Sequence, residues 1–107
     1  MKKIIVTTTS EIPGKSIKEI IGVVKGNTVR SRNIGVDIGA GLKNIIGGEI
    51  KSYTEMVSKA RDEAYNRIVN NAIELGADAI ISMRFMTSTV MTGASEMLAY
   101  GTAVKLK

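Results

Sequence analysis

The chain has 107 residues, a formal net charge of +5, 44% hydrophobic residues, and neither cysteine nor histidine. That length supports one core rather than two, since a domain of this size buries roughly two-thirds of its unfolded surface. Without Cys there is no disulfide framework, thiolate nucleophile or thiolate metal site, and no apolar run approaches a leader's core or the roughly 18 residues of a membrane span. The expectation is a single domain over residues 1–107 of a soluble, cytoplasmic protein. Ile and Val far outnumber Leu, which favours sheet alongside whatever helix is present.

In chain order, Ile4 to Thr9 is rich in β-branched residues and predicts a first strand. Pro13 and Gly14 predict a turn, because proline presets φ and glycine accepts a positive one. Ile17 to Lys25 predicts a second strand, with Ile17, Ile21 and Val23 on one face and Ile20 and Val24 on the other, so neither face is cleanly polar. Gly26 and Asn27 form the next turn signal, and Thr28 and Val29 extend the pairing beyond it. From Asn33 to Ile46 the pattern turns helical through Ile38, Leu42, Ile45 and Ile46. Gly35, Gly39 and Gly41 weaken this short helix by about 1 kcal/mol each, which points to close packing against a neighbour. Gly47 and Gly48 end it.

The strongest pattern follows. Tyr53, Val57, Ala60, Ala64, Ile68, Ala72 and Leu75 recur at intervals of three or four, with Met56, Tyr65, Val69 and Ile73 widening the stripe, and predict a long amphipathic helix. Ser52 with Glu55 three residues on has the capping-box spacing, and Gly76 stands where a left-handed residue must close the last turn. Ala77, Ala79, Ile81, Met83 and Phe85 then predict the apolar face of a third strand, which Thr87, Thr89 and Val90 prolong. After a turn at Thr92–Ser95, Glu96 to Leu106 predicts a fourth strand. Leu98, Tyr100, Val104 and Leu106 make its bulky face, and Ala99, Gly101 and Ala103 its small one. The fold class is therefore α+β: an antiparallel or mixed sheet with one long and one short glycine-rich helix packed on it. A sheet with helices on one side and water on the other alternates apolar with polar residues, and the second and fourth strands do not. The simplest cover for their other face is another copy of the chain, so self-association into a closed homo-oligomer is expected.

For chemistry the inventory is thin. Gly14, Lys15 and Ser16 imitate the end of a phosphate-binding loop, but Thr9 occupies the place of the required earlier glycine and Pro13 removes a donor, which leaves a β-turn. Gly39 and Gly41 begin a dinucleotide-like pattern that Asn44 breaks. A glycine-rich helix start can still hold an anion, and Arg30, Arg32 and Lys43 are the candidates for a small anionic ligand there or at a subunit interface. Asp62 and Glu63 are adjacent on the outer face of the long helix, where solvated charge is the default, and Asp37 and Asp78 are lone carboxylates that local backbone bonds explain. No nucleophile stands beside a base, so neither an enzyme nor a cofactor is expected. Met83, Met86, Met91 and Met97 around the last hairpin are soft donors that suit Cu(I), against the commoner role of Met as gap-filler. The charge of +5 invites a nucleic-acid partner. The basic residues are scattered, however, and Tyr53, Tyr65, Phe85 and Tyr100 form no stacking platform, so a solvated basic surface is the better reading.

Taken together, several segments resemble the YbjQ-like family of small, largely uncharacterised bacterial and archaeal proteins. They are Thr7-Thr8-Thr9 with Pro13-Gly14-Lys15, Gly22-Val23-Val24-Lys25-Gly26, the run from Ala40 through Gly47-Gly48 to Glu49, Tyr53-Thr54-Glu55 with Ala60-Arg61, Leu75-Gly76-Ala77-Asp78-Ala79, and Tyr100-Gly101-Thr102-Ala103-Val104. No single piece is specific, but their order and spacing cover nearly the whole chain, with Gly47, Gly48, Tyr53, Gly76, Asp78 and Gly101 as the structural positions. The resemblance implies a dodecin-like subunit in a ring-shaped homopentamer, with short extra strands joining neighbours, and carries a heavy-metal-binding label. Many relatives have an acidic run on the third strand where this chain has Arg84, Met86 and Ser88. An oxygen-rich metal site at that place would be lost.

Overall fold

The computed structural model describes residues 3–31, 48–91 and 93–107. Four strands and a helix follow in the order β1 (Ile5–Val6), β2 (Ile17–Ser31), α1 (Gly48–Glu74), β3 (Ala79–Met91) and β4 (Ala94–Leu106). They form one mixed sheet ordered β1-β3-β4-β2, parallel between β1 and β3 and antiparallel elsewhere. This is the α+β class that the apolar periodicity predicts. The expected short helix at 33–46 lies outside the described residues.

The helix lies across β2 and β4 and buries Ala60, Ala64, Ile68 and Ala72. These are the middle of the predicted stripe, and they meet the predicted small face of β4, with Ala99 and Ala103 fully buried beneath them. Alanine against alanine brings helix and sheet close together. Gly26 leaves no room for a side chain between them: a Cβ there would stand 2.6 Å from Ala64 O and 2.8 Å from Arg67 Cβ. The turn expected at Gly26-Asn27 is therefore absent, and β2 runs unbroken to Ser31. The glycine serves close approach rather than a change of direction.

Both ends of α1 are informative. The helix already begins at Gly48, so Ser52 sits inside it and the predicted cap at that position is incorrect. The C-terminal stop is as expected. Gly76 has φ +80°, its N–H donates to Ile73 O at 2.9 Å, and Ala77 N–H donates to Ala72 O at 3.0 Å, which together make a Schellman closure.

Two irregularities correct the predicted strand faces. In β2 the register shifts between Ile20 and Gly22, so Ile21 and Val24 both turn toward the helix-side core instead of lying on opposite faces. In β3 it shifts between Ile81 and Arg84, around Ser82 with φ +53°. Ile80 and Met83 consequently join the helix-side core, while Ala79 and Ile81 pack with Val104, Ile12 and Leu106 on the other side. The first strand is also shorter than Ile4–Thr9. Beyond Val6 the Thr7 and Thr9 hydroxyls bond each other at 2.8 Å and Thr9 Oγ1 donates to Glu11 O at 2.6 Å, while backbone bonds joining Thr7 and Thr9 to the irregular stretch of β3 continue out of regular register.

Candidate functional site

The side of the sheet turned away from α1 follows from the cross-strand pairs. Ile81, Thr102 and Val23 form one row, Arg84, Tyr100 and Lys25 the next, then Met86, Leu98 and Asn27, then Ser88, Glu96 and Val29. The loop carrying Ile12 covers only the end of this face near Ala79, Val104 and Leu106. Farther along, Val23 is 77% exposed, Ile20 67%, Val29 56% and Met86 54%, and Tyr100 is exposed as well. Charged and polar groups punctuate the patch. Asn27 Nδ2 donates to Glu96 Oε2 at 3.1 Å, and the Arg84 guanidinium donates to the carbonyls of Thr8 at 2.8 Å and Met83 at 2.9 Å. An apolar face with a few oriented polar groups is suited to contact with another macromolecular surface.

A second polar cluster ties α1 to β2. Glu63 receives a hydrogen bond from Thr28 Oγ1, pairs with Arg30 at 2.8 Å, and pairs with Arg67 at 3.2 Å one helical turn on. The Thr28 hydroxyl, the largest influence, and the two guanidinium charges hold the Glu63 carboxyl below its ordinary range, with partial desolvation opposing them. Arg67 also donates to Asn27 O, and Asn71 Nδ2 donates to Lys25 O at 2.7 Å. Helix side chains thus satisfy carbonyls on the outer edge of β2. Sequence reasoning treated Glu63 as a solvated charge. Of its partners only Arg67 is local, one helical turn on; Arg30 and Thr28 stand 33 and 35 positions away, and no local pattern signals those contacts.

Of the anion candidates, Arg30 is engaged by Glu63, and Arg32 and Lys43 lie outside the described residues. The four methionines do not converge. Met83 and Met97 are buried in the helix-side core, Met86 is on the opposite face, and Met91 is exposed at the end of β3. Among the described residues no three His, Cys, Asp or Glu side chains are placed to share a metal ion. Among the described residues, neither the methionine sulfurs nor the carboxylates converge into a donor set. Among the structural positions, Gly48 opens α1, Tyr53 is an exposed residue of its first half, and Gly101 is buried against the β3 irregularity. Gly47 lies outside the described residues. Asp78 anchors the end of β4, accepting from Leu106 N–H at 2.9 Å while its own N–H donates to Val104 O at 2.9 Å. A cleft of about 770 Å³ opens between Thr9 and Ile17. Among the described residues no helix is long and apolar enough to cross a membrane.

Comparison with known proteins adds the relatives. The family model YbjQ_1, described as "Putative heavy-metal-binding", matches residues 4–107. A UPF0145 protein of Archaeoglobus fulgidus is 58% identical over 106 residues, covering 99% of this chain and 98% of the relative. Another from Methanoculleus marisnigri is 59% identical over 102 residues, 95% of each chain, and one from Shewanella frigidimarina is 62% identical over 102 residues, again 95% of each. Among solved structures, a protein of unknown function in the DUF74 family of Pediococcus pentosaceus superposes with a TM-score of 0.66 at 20% identity, over 97% of this chain and 98% of its own. That likeness extends the fold to a distant sequence.

Proposed function

The chain belongs to the YbjQ family, and from that premise we propose that it is a homo-oligomeric module, a ring of five copies, that binds or scaffolds rather than catalyses. The observation that carries this reading is the bare apolar face of the sheet, with Val23, Ile20, Val29 and Met86 each more than half exposed. At roughly 25 cal/mol per Å², such surface favours association strongly once a matching surface is available. The subunit's proportions support the same reading. Its radius of gyration is 17.4 Å, against about 13 Å for a compact domain of this length, as expected of a piece cut from a larger body. Five is the number that the family resemblance implies.

Native mass spectrometry of gently purified protein tests the assembly and any retained ligand together. The expected mass is five chains, and a mass of one chain at micromolar concentration overturns the proposal. Scaffolding rather than catalysis is supported by the thin chemistry of the described residues. The Glu63 carboxyl, for instance, is shifted by structural partners rather than by a reactive group beside it. The heavy-metal reading attached to the family finds no convergent donors among the described residues, and no observation favours it over the assembly reading.

A further inference from the structure

The segment from Thr7 to Ser16 joins β1 to β2 without regular structure, yet the sheet holds it at both ends. Thr7 N–H donates to Ile80 O at 3.0 Å, Met83 N–H to Thr7 O at 3.0 Å, Ser82 N–H to Thr9 O at 2.9 Å, and Lys107 N–H to Ser16 O at 3.0 Å. The Arg84 guanidinium adds a bond to Thr8 O at 2.8 Å. Ser82 makes its bond from a φ of +53°, a conformation that residues with a side chain seldom adopt. Backbone strain of this kind gathers where a structure clamps a ligand.

Between its arms the segment frames a cleft of about 770 Å³, the size of a small-molecule site. Ile12, Pro13 and Ile17 supply an apolar wall, and Ile12 is itself packed against Ala79, Ile81 and Val104. The tip is a turn closed by Lys15 N–H to Ile12 O at 3.1 Å, with Pro13 in its second position and Gly14, at φ +78°, in its third.

Hydrogen bonding along this segment is one-sided. The carbonyls of Thr7, Thr8 and Thr9 accept from β3, Glu11 O from Thr9 Oγ1, Ile12 O from Lys15 N–H, and Ser16 O from Lys107 N–H. The N–H groups of Ser10, Glu11, Gly14 and Ser16, by contrast, meet no acceptor among the described residues, and neither does the Lys15 ammonium. All five residues line the cleft. A wall whose acceptors are engaged and whose donors are open complements a ligand rich in acceptors. The run Gly14-Lys15-Ser16 has this character without being a nucleotide loop, because β2 rather than a helix follows Ser16. Glu11 also sets a negative charge in the same lining, which repels a polyphosphate more than a single anionic group.

We propose that the cleft between Thr9 and Ile17 binds a small molecule through one oxyanion group, a phosphate ester or a carboxylate. The Lys15 ammonium and the open N–H groups of Ser10, Glu11, Gly14 and Ser16 hold that group, and the apolar wall takes the rest of the ligand. The site lies within one chain, so it does not depend on the number of copies.

Amide NMR of the full-length protein, titrated with inorganic phosphate and separately with acetate, tests the site against sodium chloride of equal ionic strength. The amides of Ser10, Glu11, Gly14 and Ser16 are expected to shift saturably with at least one of the two anions and not with chloride. Saturation by phosphate alone assigns a phosphate ester, by acetate alone a carboxylate, and by both a site that reads the shared oxyanion. Lys15→Gln is expected to weaken binding about 10-fold, the scale of one hydrogen bond to a charged group, and Lys15→Arg to restore it. Lys15 is exposed, so both variants keep the fold. Shifts that do not saturate, that chloride reproduces, or that are as tight in Lys15→Gln as in the wild type overturn the site. Native mass decides the oligomeric reading independently: a single chain that binds keeps the site, and an assembly that binds neither anion loses it alone.

Discussion

Gly26 shows how one missing side chain sets the distance between two layers. A methyl group there would press on the backbone of α1 at Ala64 and Ile68, where a side-chain rotation gives no relief. Gly26→Ala is expected to lower unfolding stability by about 3 kcal/mol, the upper part of the range for overpacking, because helix and strand must separate together. Urea unfolding of the two proteins measures it. Glu63 governs the same contact through charge. Its carboxyl is held below the usual 4.5 in the folded chain, so the unfolded chain takes up its proton first as the pH falls. The stabilisation from Glu63 is complete above about pH 4.5 and is lost below it as the pH drops through the folded value. Glu63→Gln should therefore melt lower than the wild type at pH 7, and the gap should narrow on acidification. A melting-temperature series from pH 7 to pH 3 reads this directly, and a gap that is constant with pH would remove the carboxylate from the account.

The element scale separates what local pattern encodes from what it does not. The C-terminal stop of α1 is local: Gly76 at φ +80° closes a Schellman motif within six residues. Gly76→Ala should cost about 1 kcal/mol, the penalty for placing a Cβ in the left-handed region, and lower the melting temperature by roughly 5 °C. The stripe from Ala60 to Ala72 and the small face of β4 were legible for the same reason, since each repeats at the period of its own element. What depended on distant contacts was not. Nothing near Gly26 announces that Ala64 will rest on it, and the irregularity at Ser82 that sends Ile81 and Met83 to opposite sides breaks the very alternation used to assign faces. The bareness of the sheet's outer side could be read from Ile20, Val23 and Tyr100.

At the scale of the whole molecule, the same outer face must do opposite things in the free and assembled chain, and this difference can be measured. In the single subunit Val23 is 77% exposed and projects from the face opposite the helix, so a charge there is solvated and the subunit's own stability should change by less than about 0.5 kcal/mol. In an assembly that covers this face, the same charge would be buried without a partner, at a cost of several kcal/mol for each interface. Repeated around a ring, that penalty falls on every joint. Val23→Glu should therefore yield a folded, cooperatively melting single chain where the wild type gives the full assembly. Light scattering at micromolar concentration, read alongside circular dichroism, distinguishes the outcomes. Loss of mass with the fold intact places Val23 within the contact surface. An unchanged mass would exclude this face from the interface, while a loss of both fold and mass would mean that Val23 stabilises the subunit itself, contrary to its exposure.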